Sequence, residues 1–181
     1  MTSVKKSRLT LIGVALAFVL PVIGAKFVLD QSWYQGGATN KGTMVQPAVT
    51  LDETTNAQLP DGWRVVLIAD DACGAPCEQG FYAINQLDVA LGKESHRVKP
   101  IVLSRAELSF DFSQTPLVET IVAPAIVEQL DSIPAYRLFI VDPLGTAVLH
   151  YPTHADEPTM RAEAKNLLSD LRTLLKLSRI G

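Results

Sequence analysis

The two cysteines of the chain, Cys73 and Cys77, stand in the run "DDACGAPCEQGF" with three residues between them. Such a pair can be a redox couple, a metal clamp, a structural disulfide or two idle thiols. A disulfide across so short a loop removes little chain entropy from the unfolded state. A purely structural role therefore has a weak energetic motive. The thiolate is the form that attacks disulfides and binds soft metal ions, Cu(I) among them. The neighbouring carboxylates Asp70 and Asp71 disfavour a thiolate and welcome a cation.

The flanking sequence says what must hold these sulfurs. "RVVLIAD", residues 64–70, is a β-branched apolar run that reads as a buried strand leading into the motif. Beyond it, Cys77, Phe81, Ile84, Leu87 and Leu91 recur at helical spacing, and Gly92 sits where a helix C-cap is expected. Pro76 suits a first helical turn. The spacing thus predicts a helix over 76–91, with Cys73 just ahead of it, where the helix dipole favours a thiolate. That placement makes Cys73 the attacking thiol and Cys77 the resolving one.

Further strands are expected at "VKPIVLS" (98–104), "YRLFIVD" (136–142) and "TAVLHY" (146–151), the last two joined by the "DPLG" turn (142–145). The stretch from Glu107 to Leu130 reads as a loop, then a helix bent near Pro124. Met160, Ala164, Leu167, Leu171 and Leu174 form the stripe of a closing helix. The expected order is strand, CxxxC, helix, strand, helix, hairpin, helix. This is the arrangement of an α/β, thioredoxin-like domain, a mixed sheet flanked by helices.

At the N-terminus, Lys5, Lys6 and Arg8 precede an uncharged apolar run from Leu9 to Ala25, which continues past Lys26 to Leu29. If Lys26 snorkels, the run can span a bilayer. The basic flank then stays in the cytoplasm. The expected division is a cytoplasmic tail over 1–8, a single-pass anchor over 9–29, a linker over 30–42 and the domain over 43–181, which in a bacterium lies in the periplasm. Trp33 and Tyr34 are either an interfacial aromatic anchor or residues that pack on the domain. A cleaved signal peptide is the competing reading of the apolar run, although Ile23-Gly24-Ala25 makes a poor cleavage site.

All 19 acidic residues lie at Asp30 or later, against 12 of the 16 basic ones, so the chain beyond the anchor carries a net charge of −7. That argues against nucleic acid as a partner. His96, His150 and His154 read as solvated or locally satisfied side chains, and no Cys/His cluster has zinc spacing. Met44 and Met160 are too scattered for a copper box.

Several segments then carry a resemblance. The CxxxC after the first core strand, the N-terminal anchor and the "FIVDPLGTAVLHY" hairpin resemble the Sco (SenC) copper chaperones of cytochrome c oxidase. "NKGTMVQPAV", "ALGKESHRVKPIVL" and the terminal "LLKLSRIG" are similar to a smaller group of bacterial membrane-anchored proteins. The genes of that group lie among cytochrome oxidase assembly genes. Thioredoxin-fold proteins carry a cis-proline ahead of the third strand, and the resemblance implies that Pro134, in "SIPAYRLFIVD", is that residue and shapes a substrate groove. The Sco proteins take a third copper ligand from a histidine in this region. This chain has none there, so the Sco copper site is not carried over complete.

The expectation is a protein of the inner membrane that assists cytochrome c oxidase assembly by thiol–disulfide exchange through Cys73 and Cys77. Its partner would be an oxidase subunit or assembly factor. Two other readings stay open: a Cu(I) carrier holding the ion between the two thiolates, and a docking scaffold whose disulfide is incidental.

Overall fold

The computed structural model describes residues 2–30, 39–70, 74–108, 117–130, 132–134 and 137–180. The chain falls into two compact units, Met1–Thr39 and Asn40–Gly181. The first is built on helix α1, Thr2–Asp30. Its segment Ser7–Phe27 is 21 residues long with a mean hydropathy of 2.1, long and apolar enough to cross a membrane. Leu9, Phe18 and Val22 are among the large apolar side chains it leaves exposed. Trp33 and Tyr34 lie outside the described residues.

The second unit is a six-stranded mixed sheet between two layers of helices. The strands are β1 (Thr43–Thr50), β2 (Trp63–Ile68), β3 (Val98–Ser104), β4 (Glu119–Val122), β5 (Arg137–Val141) and β6 (Thr146–Pro152), in the spatial order β1-β6-β5-β2-β3-β4. The pairs β2–β3 and β3–β4 are parallel, and β2–β5, β5–β6 and β6–β1 are antiparallel. β2 is central, and all six of its residues are buried. Strand alternation sends Val65 and Leu67 to one face and Val66 and Ile68 to the other.

The first face receives α3 (Ala75–Asn85), α4 (Leu87–Leu91) and α6 (Glu157–Leu177) through Ile84, Leu91, Leu167 and Leu171. The second receives α5 (Pro124–Gln129) through Ile126 and Val127, beside the short α2 (Glu53–Asn56), whose flanks add Leu51 and Leu59. Each large apolar side chain buried this way contributes about 1.5–3 kcal/mol relative to exposure. Arg64, at the start of β2, is 2% exposed. It is tolerated there because its Nε donates to the Pro60 carbonyl at 2.6 Å and a terminal NH2 group to Asn56 Oδ1 at 2.7 Å.

Three expectations need correction. The helix over 76–91 is two helices: α3 ends at Asn85, and α4 begins at Leu87. Gly92 does close α4, with φ +59 in the region that favours glycine. The stretch before Pro124 is strand β4, which pairs with β3, and not part of a bent helix. Pro124 opens α5 in its first turn, where its missing N–H leaves no bond unmade. Residues 109–116 of that stretch lie outside the described residues. Finally, 43–50, for which no element was expected, is edge strand β1. Its pairing with β6 is a long-range choice that its mixed composition does not announce.

Candidate functional site

β2 delivers the chain to the cysteine motif at its C-terminal end. The Ala69 N–H still donates to the Leu103 carbonyl at 2.9 Å, and Asp70 beyond it is exposed. Residues 71–73 lie outside the described residues, Cys73 included. The backbone resumes at Gly74, the extended N-cap of α3, whose carbonyl accepts the N–H groups of Cys77 at 2.9 Å and Glu78 at 3.1 Å. Pro76 sits in the first turn, as the sequence predicts.

Cys77 is 0% exposed and belongs to the apolar cluster that contains Leu67, Ile84 and Tyr151. It is disulfide-bonded, and the chain has two cysteines. Two opposing effects act on its sulfur in the reduced state. The N-terminal turn of an 11-residue helix stabilises a thiolate. Burial among apolar side chains disfavours it.

The structure handles Pro134 differently from expectation. The cis peptide bond among the described residues is Gln46–Pro47, in β1; Ile133–Pro134 is not cis. Ile133 is buried in the second-face cluster, its N–H bonded to the Leu130 carbonyl at 2.8 Å, and Pro134 is exposed. Pro134 is an exposed residue outside any helix, strand or turn. Tyr136, expected to begin that strand, lies outside the described residues.

Among the described residues no group of three or more His, Cys, Asp or Glu side chains could hold a metal ion. The histidines have other contacts. His96 Nδ1 lies 2.9 Å from the Lys93 carbonyl, and His150 Nδ1 lies 3.5 Å from the Arg137 guanidinium. Burial lowers the His150 pKa, and the Arg137 charge adds to that. His154 stands near Asp156, the N-cap of α6, which the Thr159 bonds hold below the usual carboxylate range. With its described sulfur in a disulfide, the motif in this state does not fit a Cu(I) ion.

Three features of the domain were not singled out from sequence. Gly80 lies in α3 one turn beyond Cys77, and a Cβ there would stand 2.8 Å from Thr153 Cγ2 and 3.5 Å from Leu67 Cδ1. A glycine inside a helix costs about 1 kcal/mol relative to alanine, so its presence marks a close approach. Asp170 of α6 is 5% exposed, and its Oδ2 accepts from the Tyr151 hydroxyl and the backbone of Lys41 and Gly42. These contacts explain "NKG": Asn40 Nδ2 donates to the Gly42 carbonyl at 2.6 Å, and a Cβ on Gly42 would fall 2.4 Å from the Tyr151 ring. Lastly, a groove of about 230 Å³ runs between α3 and α6, with Tyr82, Gln86, Met160 and Arg161 in its lining.

Comparison with known proteins places this geometry. No protein of curated function matches the sequence. Among solved structures, apo Sco1 from Thermus thermophilus is 16% identical with a TM-score of 0.52, and the match covers 77% of this chain and 99% of that one. That likeness shows a shared thioredoxin-like fold. Copper-bound ScoI from Bradyrhizobium japonicum is 17% identical, with a TM-score of 0.43, over 61% of this chain and 87% of that one. A putative thiol:disulfide interchange protein DsbE from Chlorobium tepidum is 16% identical, with a TM-score of 0.41, over 73% and 98%. Residues 63–178, from the first residue of β2 to the C-cap of α6, match the model of the family described as transmembrane-like, thioredoxin-like, C-terminal domain, and the chain belongs to that family.

Proposed function

We propose that this protein is a membrane-anchored thiol–disulfide exchanger that acts on a disulfide of a cytochrome c oxidase subunit or assembly factor. The observation that carries the reading is Cys77, disulfide-bonded and fully buried in the first turn of the helix that follows the central strand of a thioredoxin-like domain. The Cys73–Cys77 disulfide then corresponds to the oxidised state. In the reduced state the Cys73 thiolate attacks one sulfur of the target disulfide. A mixed disulfide forms, and one target thiolate leaves. The Cys77 thiolate then attacks the Cys73 sulfur, re-forms Cys73–Cys77 and releases the second target thiolate. The target leaves with two free cysteines, the state in which a copper site can be filled. A membrane dithiol donor returns the two electrons.

The oxidase assignment rests on the sequence resemblance to the Sco group. The anchor reading rests on the Ser7–Phe27 helix, and the periplasmic face on the basic residues that precede it. The test is complementation in a strain lacking the gene. Replacing Cys73 and Cys77 together by serine is expected to abolish oxidase assembly while the protein still accumulates in the membrane fraction. Full assembly with the double-serine protein would overturn the exchanger and leave a scaffold.

A further inference from the structure

We infer that Gly80 and Thr153 are positioning residues that keep the Cys77 sulfur shielded from an incoming thiol; this rests on the exchanger reading. No turn geometry asks for a glycine in α3, because the Gly80 backbone is helical and is not among the glycines with positive φ. What the glycine permits is contact. Thr153, in the segment just after β6, places its Cγ2 where a Cβ on Gly80 would stand at 2.8 Å, and Leu67 of β2 closes the other side at 3.5 Å. Threonine is stiff at χ1, so the methyl cannot easily swing aside.

The contact lies one turn beyond Cys77 on the same helix, over Leu67, a side chain of the cluster that buries Cys77. A side chain at position 80 therefore lifts the N-terminal half of α3 away from β2 and the segment after β6. The group most directly uncovered is the Cys77 sulfur. With glycine in place, that sulfur is 0% exposed, so a thiol arriving from solvent does not reach it. Thr153 makes further contacts of its own, so the change is best made on the glycine and relieved on the threonine.

The test uses the full-length chain in detergent with Cys73→Ser, in which Cys77 is the single thiol, and reads its alkylation rate with iodoacetamide. Gly80→Ala is expected to raise that rate about tenfold and Gly80→Val further. Thr153→Ser, which removes only the offending methyl, is expected to return the Gly80→Ala protein to near the parent rate. Circular dichroism of each variant separates local uncovering from unfolding. Equal rates for the parent, Gly80→Ala and Gly80→Val proteins, all of them folded, would overturn the inference, and so would failure of Thr153→Ser to relieve the alanine variant. Because the readout is a single thiol, it stands apart from the exchange activity of the pair. An inactive wild-type pair would defeat the function and leave the alkylation series interpretable.

Discussion

The Tyr151 hydroxyl donates to Oδ2 of Asp170 at 2.9 Å, and the backbone N–H groups of Lys41 and Gly42 reach the same oxygen at 2.7 and 2.8 Å. One buried carboxylate on the closing helix thus ties the start of the domain to strand β6. Tyr151 lies opposite Leu138 of β5, which lies opposite Leu67 of β2. The tie is therefore made at the level of the sheet from which the chain runs on to the cysteines.

Asp170→Ala removes the shared acceptor and leaves three donors to find water. Losing the partner of a buried donor costs about 1–3 kcal/mol, and partial rehydration keeps the sum below simple addition. The expected loss is about 2–4 kcal/mol of unfolding free energy, read from urea denaturation of the full chain. A loss below about 0.5 kcal/mol, the scale of an ordinary surface change, would show that the tie does not stabilise the fold.

The same tie predicts a response to alkali. Burial raises the Tyr151 pKa, and the hydrogen bond and charge of Asp170 raise it further. An unfolded tyrosine titrates near pH 10. Between that value and the higher folded one, the folded state holds more protons, so stability falls as pH rises. The contribution is complete below about pH 10 and is lost above it. Thermal unfolding between about pH 9 and pH 11 should show a falling Tm, and Tyr151→Phe should flatten the slope. An unchanged slope in Tyr151→Phe would assign the alkaline loss to other groups.

The Arg97 guanidinium donates to the carbonyls of Leu175, Ser178 and Ile180, and its pairing with Glu94 holds it in place. These bonds tie the segment before β3 to the C-terminal segment "LSRIG". Arg97→Ala is expected to fray the end of α6 with a modest global cost of about 1–2 kcal/mol, since the freed carbonyls lie close to water. Hydrogen exchange at the Ser178 amide, which bonds to the Leu174 carbonyl, should quicken at least fivefold. Unchanged protection there would mean that helix packing alone holds the tail.

The core was legible because its signals are local. The run Val65 to Ile68 is apolar on both faces of a strand, the stripe from Met160 to Leu171 repeats at helical spacing, and "DPLG" is a turn by its own chemistry. The elements that escaped depend on distant partners. β1 has mixed composition and becomes a strand by pairing with β6. β4 is four residues long and lies beside β3. The site divides in the same way. The helix that starts beside Cys77 could be read from Pro76 and the apolar spacing that follows it. Gly80 is an ordinary helix glycine until Thr153, far along the chain, is seen against it. Pro134 was assigned by resemblance, and its bond to Ile133 is not cis.

The central claim is that the Cys73–Cys77 pair cycles. The most direct measurement is a redox titration of the full-length protein in detergent against glutathione buffers, followed by thiol labelling and mass analysis. A cycling pair is expected to titrate as a two-electron couple between about −180 and −300 mV, the range spanned by exchange-active dithiols and the compartments they serve. A pair still fully oxidised below about −330 mV would contradict the account and assign the bond a structural role.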